Sequence, residues 1–191
     1  KYAGIEDLEL TGTTVINGTG NAGDNLLGGN SAANVLDGGT GADTLRGGAG
    51  GDTYVIDDAG DVIDESGPAT DNDQVNVKIG TADGTYVLGA NLEKATLLNG
   101  VAYNLTGNGL ANTLTGNGFD NVLDGGLGID TLIGGAGNDQ ITAGAGDIDA
   151  MLNSIKNRNT VEGDAPTAKV TAGIQSTALR DLINNLDVDD F

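Results

Sequence analysis

The sequence predicts an all-β protein, a parallel β-solenoid with a short helical segment at its C-terminal end. Three observations carry that reading: a nine-residue repeat, one inward aliphatic per repeat, and a composition too poor in large side chains for an ordinary core. Of the 191 residues, 34 are Gly, and aromatic residues make up only 3%. A compact core of large side chains is therefore not available, and something else must hold the chain together.

The repeats come first because they organise everything else. From Gly20 the chain divides into GNAGDNLLG (20–28), GNSAANVLD (29–37), GGTGADTLR (38–46) and GGAGGDTYV (47–55). A second run reads GNGLANTLT (107–115), GNGFDNVLD (116–124), GGLGIDTLI (125–133) and GGAGNDQIT (134–142). Position 1 is always Gly. Position 6 is Asn25, Asn34, Asp43 and Asp52, then Asn112, Asn121, Asp130 and Asp139. Position 8 is Leu27, Leu36, Leu45 and Tyr54, then Leu114, Leu123, Leu132 and Ile141. In each run two Asn-type units precede two Asp-type units, so the runs are copies of each other at an offset of 87 residues.

Each unit reads as a turn followed by a strand. The first six residues suit the left-handed and close-packed backbone that Gly allows and Asn or Asp tolerate. The last three alternate out, in, out, so position 8 alone points inward. Two units make an 18-residue coil, and stacked coils form two parallel sheets around a thin aliphatic core. Tyr54 fills the same core position as the Leu residues.

Stacking also accounts for the acidity. Asp plus Glu number 28 against 8 Lys plus Arg, a formal net charge of −20. Such a chain lacks the basic face that nucleic acid or anionic lipid requires, and it favours a cationic partner. Coils about 4.7–4.9 Å apart set Asn25 beside Asp43, Asn34 beside Asp52, Asn112 beside Asp130 and Asn121 beside Asp139. These oxygens, with the turn carbonyls beside them, form an array for a hard divalent cation. Ca²⁺, which takes six to eight oxygens in loose geometry, fits flexible Gly turns better than Mg²⁺.

Gly38-Gly39-Thr40-Gly41-Ala42-Asp43-Thr44-Leu45-Arg46, with its partners at 47–55, 125–133 and 134–142, resembles the GGxGxDxUx repeat of RTX (repeats-in-toxin) proteins. The resemblance covers roughly residues 5–149. It implies a right-handed parallel β-roll that binds several Ca²⁺ ions between successive same-side turns. The implied ligands are the carboxylates of Asp43, Asp52, Asp130 and Asp139 and turn carbonyls. Those carbonyls would come from Gly38, Gly39, Thr40 and Gly41; Gly47, Gly48, Ala49 and Gly50; Gly125, Gly126, Leu127 and Gly128; and Gly134, Gly135, Ala136 and Gly137. The resemblance further implies export by type I secretion machinery and folding outside the cell.

Asn at position 6 departs from the motif. Either Asn25, Asn34, Asn112 and Asn121 are weak neutral ligands, or their turns support themselves through Asn hydrogen bonds. Asp61 continues the first run as an all-carboxylate partner for Asp43, and either Asp147 or Asp149 faces Asp130 after a slip of register. Residues 1–149 thus read as one roll, with runs at 20–64 and 107–149 joined by irregular coils over 65–91. Residues 150–191 read as a helical cap or a secretion-signal-like tail, with Leu179, Leu182, Ile183 and Leu186 on one helical face.

Whole classes of function fall away. The chain has no Cys and no His, so no thiol nucleophile, Ser-His-Asp triad or N/S zinc site is possible within it. None of its four Ser lies in a GxSxG context. No apolar run reaches the ~18 residues of a membrane span, and no secretory h-region is present. Gly18-Thr-Gly20-Asn-Ala-Gly23 matches GxGxxG but belongs to the repeat, as do the sequons at Asn17 and Asn104. Lys1 falls inside a pattern, so a longer parent protein is expected. The functional expectation is a non-catalytic calcium-binding module of a secreted protein. The alternatives are a surface adhesin, a surface-layer or filament protein associating through its roll ends, or the C-terminal part of a secreted hydrolase.

Overall fold

The computed structural model describes residues 6–68, 70–142 and 144, together with the backbone of Lys169–Val170. These residues form a parallel β-solenoid, and no helix occurs among them. The lead-in and first run give β1 (Asp7–Glu9), β2 (Gly18–Thr19), β3 (Leu26–Gly28), β4 (Val35–Asp37), β5 (Thr44–Arg46), β6 (Thr53–Ile56) and β7 (Val62–Ile63). The stretch between the runs gives β8 (Gln74–Val77), β9 (Gly84–Val87) and β10 (Lys94–Leu97). The second run and its lead-in give β11 (Tyr103–Thr106), β12 (Thr113–Thr115), β13 (Val122–Asp124), β14 (Thr131–Ile133) and β15 (Gln140–Thr142). A two-residue β16 (Lys169–Val170) adds to β15, with Gln140 opposite Lys169 and Ile141 opposite Val170. The helix expected near Leu179–Leu186 lies outside the described residues, so the choice between cap and tail rests on sequence alone.

Position 8 is the inward position throughout. Leu27, Leu36, Leu45, Tyr54, Leu114, Leu123, Leu132 and Ile141 are all at most 5% exposed. Fully burying one such side chain contributes about 1.5–3 kcal/mol, and position 8 supplies only two per coil of the runs; the coil between them buries more, with Val75, Val77, Ile79, Leu88 and Leu92. The core is therefore a narrow column, and the stability of each turn matters correspondingly more.

The sequence suggests two sheets; the structure has three. β2, β4, β6, β8, β10, β12 and β14 form one continuous seven-stranded sheet spanning both runs. The opposite face is split into β1-β3-β5-β7 and β9-β11-β13-β15-β16. Coil length explains the split. Within the runs strand partners lie 18 residues apart, as in Leu26↔Thr44 and Thr113↔Thr131. Across the middle the spacing stretches to 21 (Thr53↔Gln74), 20 (Gln74↔Lys94) and 19 (Lys94↔Thr113). On the continuous face the surplus residues are absorbed in turns, such as those containing Asp83 (φ 61°) and Asn91 (φ 61°). On the other face they separate β7 from β9. Residues 65–91 thus contribute strands to the same solenoid.

Repeat chemistry also occupies the two sequons. The Asn17 side chain accepts the Val35 N–H (2.9 Å), and Asn104 accepts the Val122 N–H (2.8 Å), each one coil further on. The GxGxxG string runs from β2 into a turn and then β3, with no helix to receive a phosphate.

Candidate metal centres

The Asp-type units fold their turns differently from the Asn-type units, and the difference is visible in the backbone. Positions 2 and 4 have positive φ in all four Asp-type turns: for example Gly39 at 87° and Gly41 at 120°, or Gly126 at 83° and Gly128 at 128°. That conformation is one L side chains rarely adopt, which is why the motif places Gly there. The turns also stack without a gap. A Cβ on Gly41 would stand 2.8 Å from the Gly23 carbonyl carbon, and one on Gly137 2.7 Å from that of Phe119.

Position 6 builds a ladder along each edge of the solenoid. Asp43 Oδ1 accepts the Asn25 N–H at 2.8 Å and Asp52 Oδ1 the Asn34 N–H at 2.7 Å. Asp130 Oδ1 accepts the Asn112 N–H at 2.7 Å and Asp139 Oδ1 the Asn121 N–H at 3.0 Å. All eight position-6 residues are buried. The second oxygens of Asp43 and Asp52 are buried with no hydrogen-bond partner. A buried acceptor left unmade costs about 1–3 kcal/mol, and more when it is charged. Burial accordingly raises the Asp43 carboxyl against its backbone hydrogen bond, with Asp61, Asp57 and Asp24 adding to the rise. Burial likewise pushes Asp52 up to about 6, opposed by the Asn34 N–H and reinforced by Glu65 and Asp71. Carboxylates buried this way, with an oxygen to spare and like charges around them, fit a calcium ion. The ion would supply the countercharge and use the idle lone pairs.

The Asn-type turns close on themselves. The position-6 amide oxygens accept the position-2 N–H within the same turn, at 2.6 Å for Asn25, 2.8 Å for Asn34 and Asn112, and 2.9 Å for Asn121. The position-2 side chains accept the position-4 N–H, as Asn21 does from Gly23 at 2.9 Å and Asn108 from Leu110 at 2.8 Å. The amide nitrogens of Asn34, Asn112 and Asn121 donate to carbonyls of the preceding coil: Ile16 (2.7 Å), Leu92 (3.1 Å) and Tyr103 (2.7 Å). Of the two alternatives the sequence offers for these Asn, the self-supporting turn describes the bonds made. An Asn amide can both accept and donate here, whereas an Asp carboxylate can only accept.

Asp61 lies where the repeat continues: its Oδ1 accepts the Asp43 N–H at 2.9 Å, and its Oδ2 accepts from Asp57 (2.9 Å) and Asp58 (3.1 Å). Asp147 and Asp149 lie outside the described residues. Three acids went unassigned in the sequence. Asp73 Oδ1 accepts the Asp52 N–H (2.6 Å), and Glu93 Oε2 accepts the Asp73 N–H (2.9 Å), carrying the ladder through the irregular coils. The signal was present in Asp73-Gln74-Val75 and Glu93-Lys94-Ala95. Each places an acid two residues before a buried inward side chain, as positions 6 and 8 do. Glu65, the third, has no such spacing.

Two outcomes follow from these bonds. Asp43→Ala leaves the Asn25 N–H without its acceptor and removes a charged ligand, so calorimetric titration should show weakened calcium binding. Asn34→Ala removes turn hydrogen bonds worth about 0.5–1.5 kcal/mol each; it should lower the melting temperature while leaving the number of bound ions unchanged. Equal calcium affinities in the two variants would contradict the division of roles.

The pH dependence has a definite sign. Burial pushes Asp73 up to about 7, opposed by the Asp52 N–H and reinforced by Glu65, Glu93 and Asp52. With Asp52 raised to about 6 as well, the folded state holds protons that the unfolded chain, with its Asp near 3.8, has released. That stabilisation is complete below about pH 4 and is lost as pH rises through 6 and 7. In calcium-free buffer the β-sheet ellipticity should therefore increase as pH is lowered from 8 to 5, and saturating calcium should flatten the profile. A metal-free chain that gains structure as pH rises would contradict the burial of these acids.

The fold and turns together define a parallel β-solenoid with glycine-rich acidic turns suited to calcium. The sequence model of the RTX calcium-binding nonapeptide repeat (four copies) matches residues 19–54, 106–128 and 124–147. That match falls on the two repeat runs. No curated protein and no solved structure matches the chain.

Proposed function

We propose that this chain is the calcium-binding β-roll module of a secreted protein. It folds when it meets extracellular calcium, assists export through type I secretion machinery, and positions an activity carried elsewhere in its parent. The observation that carries the reading is the pair of buried carboxylate oxygens, Asp43 Oδ2 and Asp52 Oδ2, left without partners in turns of the calcium-repeat family. A chain kept unfolded inside the cell and folded outside it suits passage through a narrow exporter, and the difference in calcium level supplies the switch. Absence of Cys and His supports a non-catalytic role for the module itself. No helix among the described residues is long and apolar enough to cross a membrane.

The test is circular dichroism in chelator and then in millimolar calcium, paired with export of the chain from cells that carry or lack a type I exporter. Calcium-dependent β signal together with exporter-dependent release supports the proposal. Calcium-independent folding, or release without the exporter, overturns the corresponding half of it.

A further inference from the structure

We propose that Asp52, Glu65 and Asp73 form a calcium site outside the nonapeptide motif, between the last Asp-type turn of the first run and the irregular coil that follows. The proposal rests on the calcium-binding reading of the roll but adds ligands that the repeat does not supply. Glu65 and Asp73 both lie beyond the matched segment 19–54.

Geometry is the first support. One carboxylate oxygen from each of the three residues lies within 4.8 Å of the others. Oxygens bound on opposite sides of one Ca²⁺, at about 2.3–2.6 Å each, stand about 4.6–5.2 Å apart, so a single ion can reach all three. Burial is the second: Asp52 and Asp73 are fully buried and Glu65 is 8% exposed. Asp52 Oδ2 and Asp73 Oδ2 have no hydrogen-bond partner. Two orphaned anionic oxygens beside a third buried carboxylate are an arrangement that needs a cation.

The surroundings aim these groups and keep the space free of carbon. Each carboxylate is held by a donor: the Asn34 N–H at Asp52 Oδ1 (2.7 Å), the Asp52 N–H at Asp73 Oδ1 (2.6 Å) and the Gly67 N–H at Glu65 Oε1 (2.5 Å). The Tyr54 hydroxyl donates to Glu65 Oε2, so a residue at a core position also steers a ligand. A Cβ on Gly47 would collide with Asp52 Oδ2 and the Tyr54 hydroxyl, and one on Gly67 with the Gly48 carbonyl. Both glycines leave room for oxygens alone. Three fixed carboxylates suit Ca²⁺ better than Mg²⁺, which retains water and demands a regular octahedron.

The decisive variant is Glu65→Gln in the full chain. It keeps the length while removing the charge: the amide oxygen still accepts the Gly67 N–H, and the amide nitrogen donates to the Tyr54 hydroxyl, which can accept as well as donate. Equilibrium dialysis with calcium should show one ion fewer per chain than the unaltered protein, with the β-sheet ellipticity in saturating calcium retained. If Glu65→Gln fails to fold, terbium replaces calcium in the unaltered chain. Tyrosine-sensitised terbium emission should then fall markedly in Tyr54→Phe and be displaced by calcium. Equal ion counts in the unaltered and Glu65→Gln chains overturn the site alone. So does unchanged terbium emission in Tyr54→Phe. An unaltered chain that takes up no calcium at all overturns the roll's calcium reading, and this site with it.

Discussion

Removing calcium should unfold the solenoid. The chain carries a net charge of −20, and its inward column supplies one side chain per nine residues in the runs. Without metal the buried acids of the turns repel one another, and no large apolar core opposes them. Sites with the affinity of extracellular calcium modules, Kd about 10⁻⁴ M, each add about 1.4 kcal/mol at millimolar calcium. Four Asp-type turns would together contribute about 6 kcal/mol, comparable to the whole stability of a small domain. The expected result is a disordered spectrum in chelator and a cooperative gain of β signal near millimolar calcium. Raising salt alone should not reproduce it, because screening lowers repulsion without filling the orphaned oxygens. A chain with full β signal and unchanged melting in chelator would falsify the coupling.

What the sequence made legible follows from its period. Nine residues per half-coil put Leu36 and Tyr54 on one inward line, and the same arithmetic set Asn34 beside Asp52; both relations are present in the structure. The turn types were partly legible, because Asn and Asp differ in whether they can donate, and the Asn turns use that difference. The middle was not. Coils of 21, 20 and 19 residues erase the period, so Asp73 and Glu93 could be found only by the local spacing of acid and inward side chain. Glu65 was beyond reach of any pattern. Its link to Tyr54 spans 11 residues across a turn, and only the folded backbone brings the two together. The break of one sheet between β7 and β9 was hidden for the same reason, since a surplus of residues in a coil does not reveal which face will absorb it.

Substituting the same residue type at two places in the same motif should give opposite outcomes, and the contrast tests the turn geometry independently of metal affinity. Gly50 has φ 106°, and a Cβ there would stand 2.8 Å from the Ala32 carbonyl carbon and 2.9 Å from the Ala33 nitrogen. Those are backbone atoms of the coil beneath, which cannot turn aside as a flexible side chain would. Gly50→Ala therefore incurs left-handed strain of about 1–3 kcal/mol and an overpacking cost of about 1–3 kcal/mol as the coils are forced apart. Gly118 sits at position 3 of an Asn-type turn, and a Cβ there would meet nothing within 4 Å. Gly118→Ala should be neutral, or stabilising by up to about 1 kcal/mol because the unfolded chain loses freedom. Thermal melts of both variants in saturating calcium should show a large drop for Gly50→Ala and none for Gly118→Ala. Equal melting temperatures would mean that the Asp-type turns do not stack on the coil before them. The ladder from position 6 to position 6 would then lose its geometric basis, because the turn that carries each carboxylate is held at hydrogen-bonding distance by that stacking.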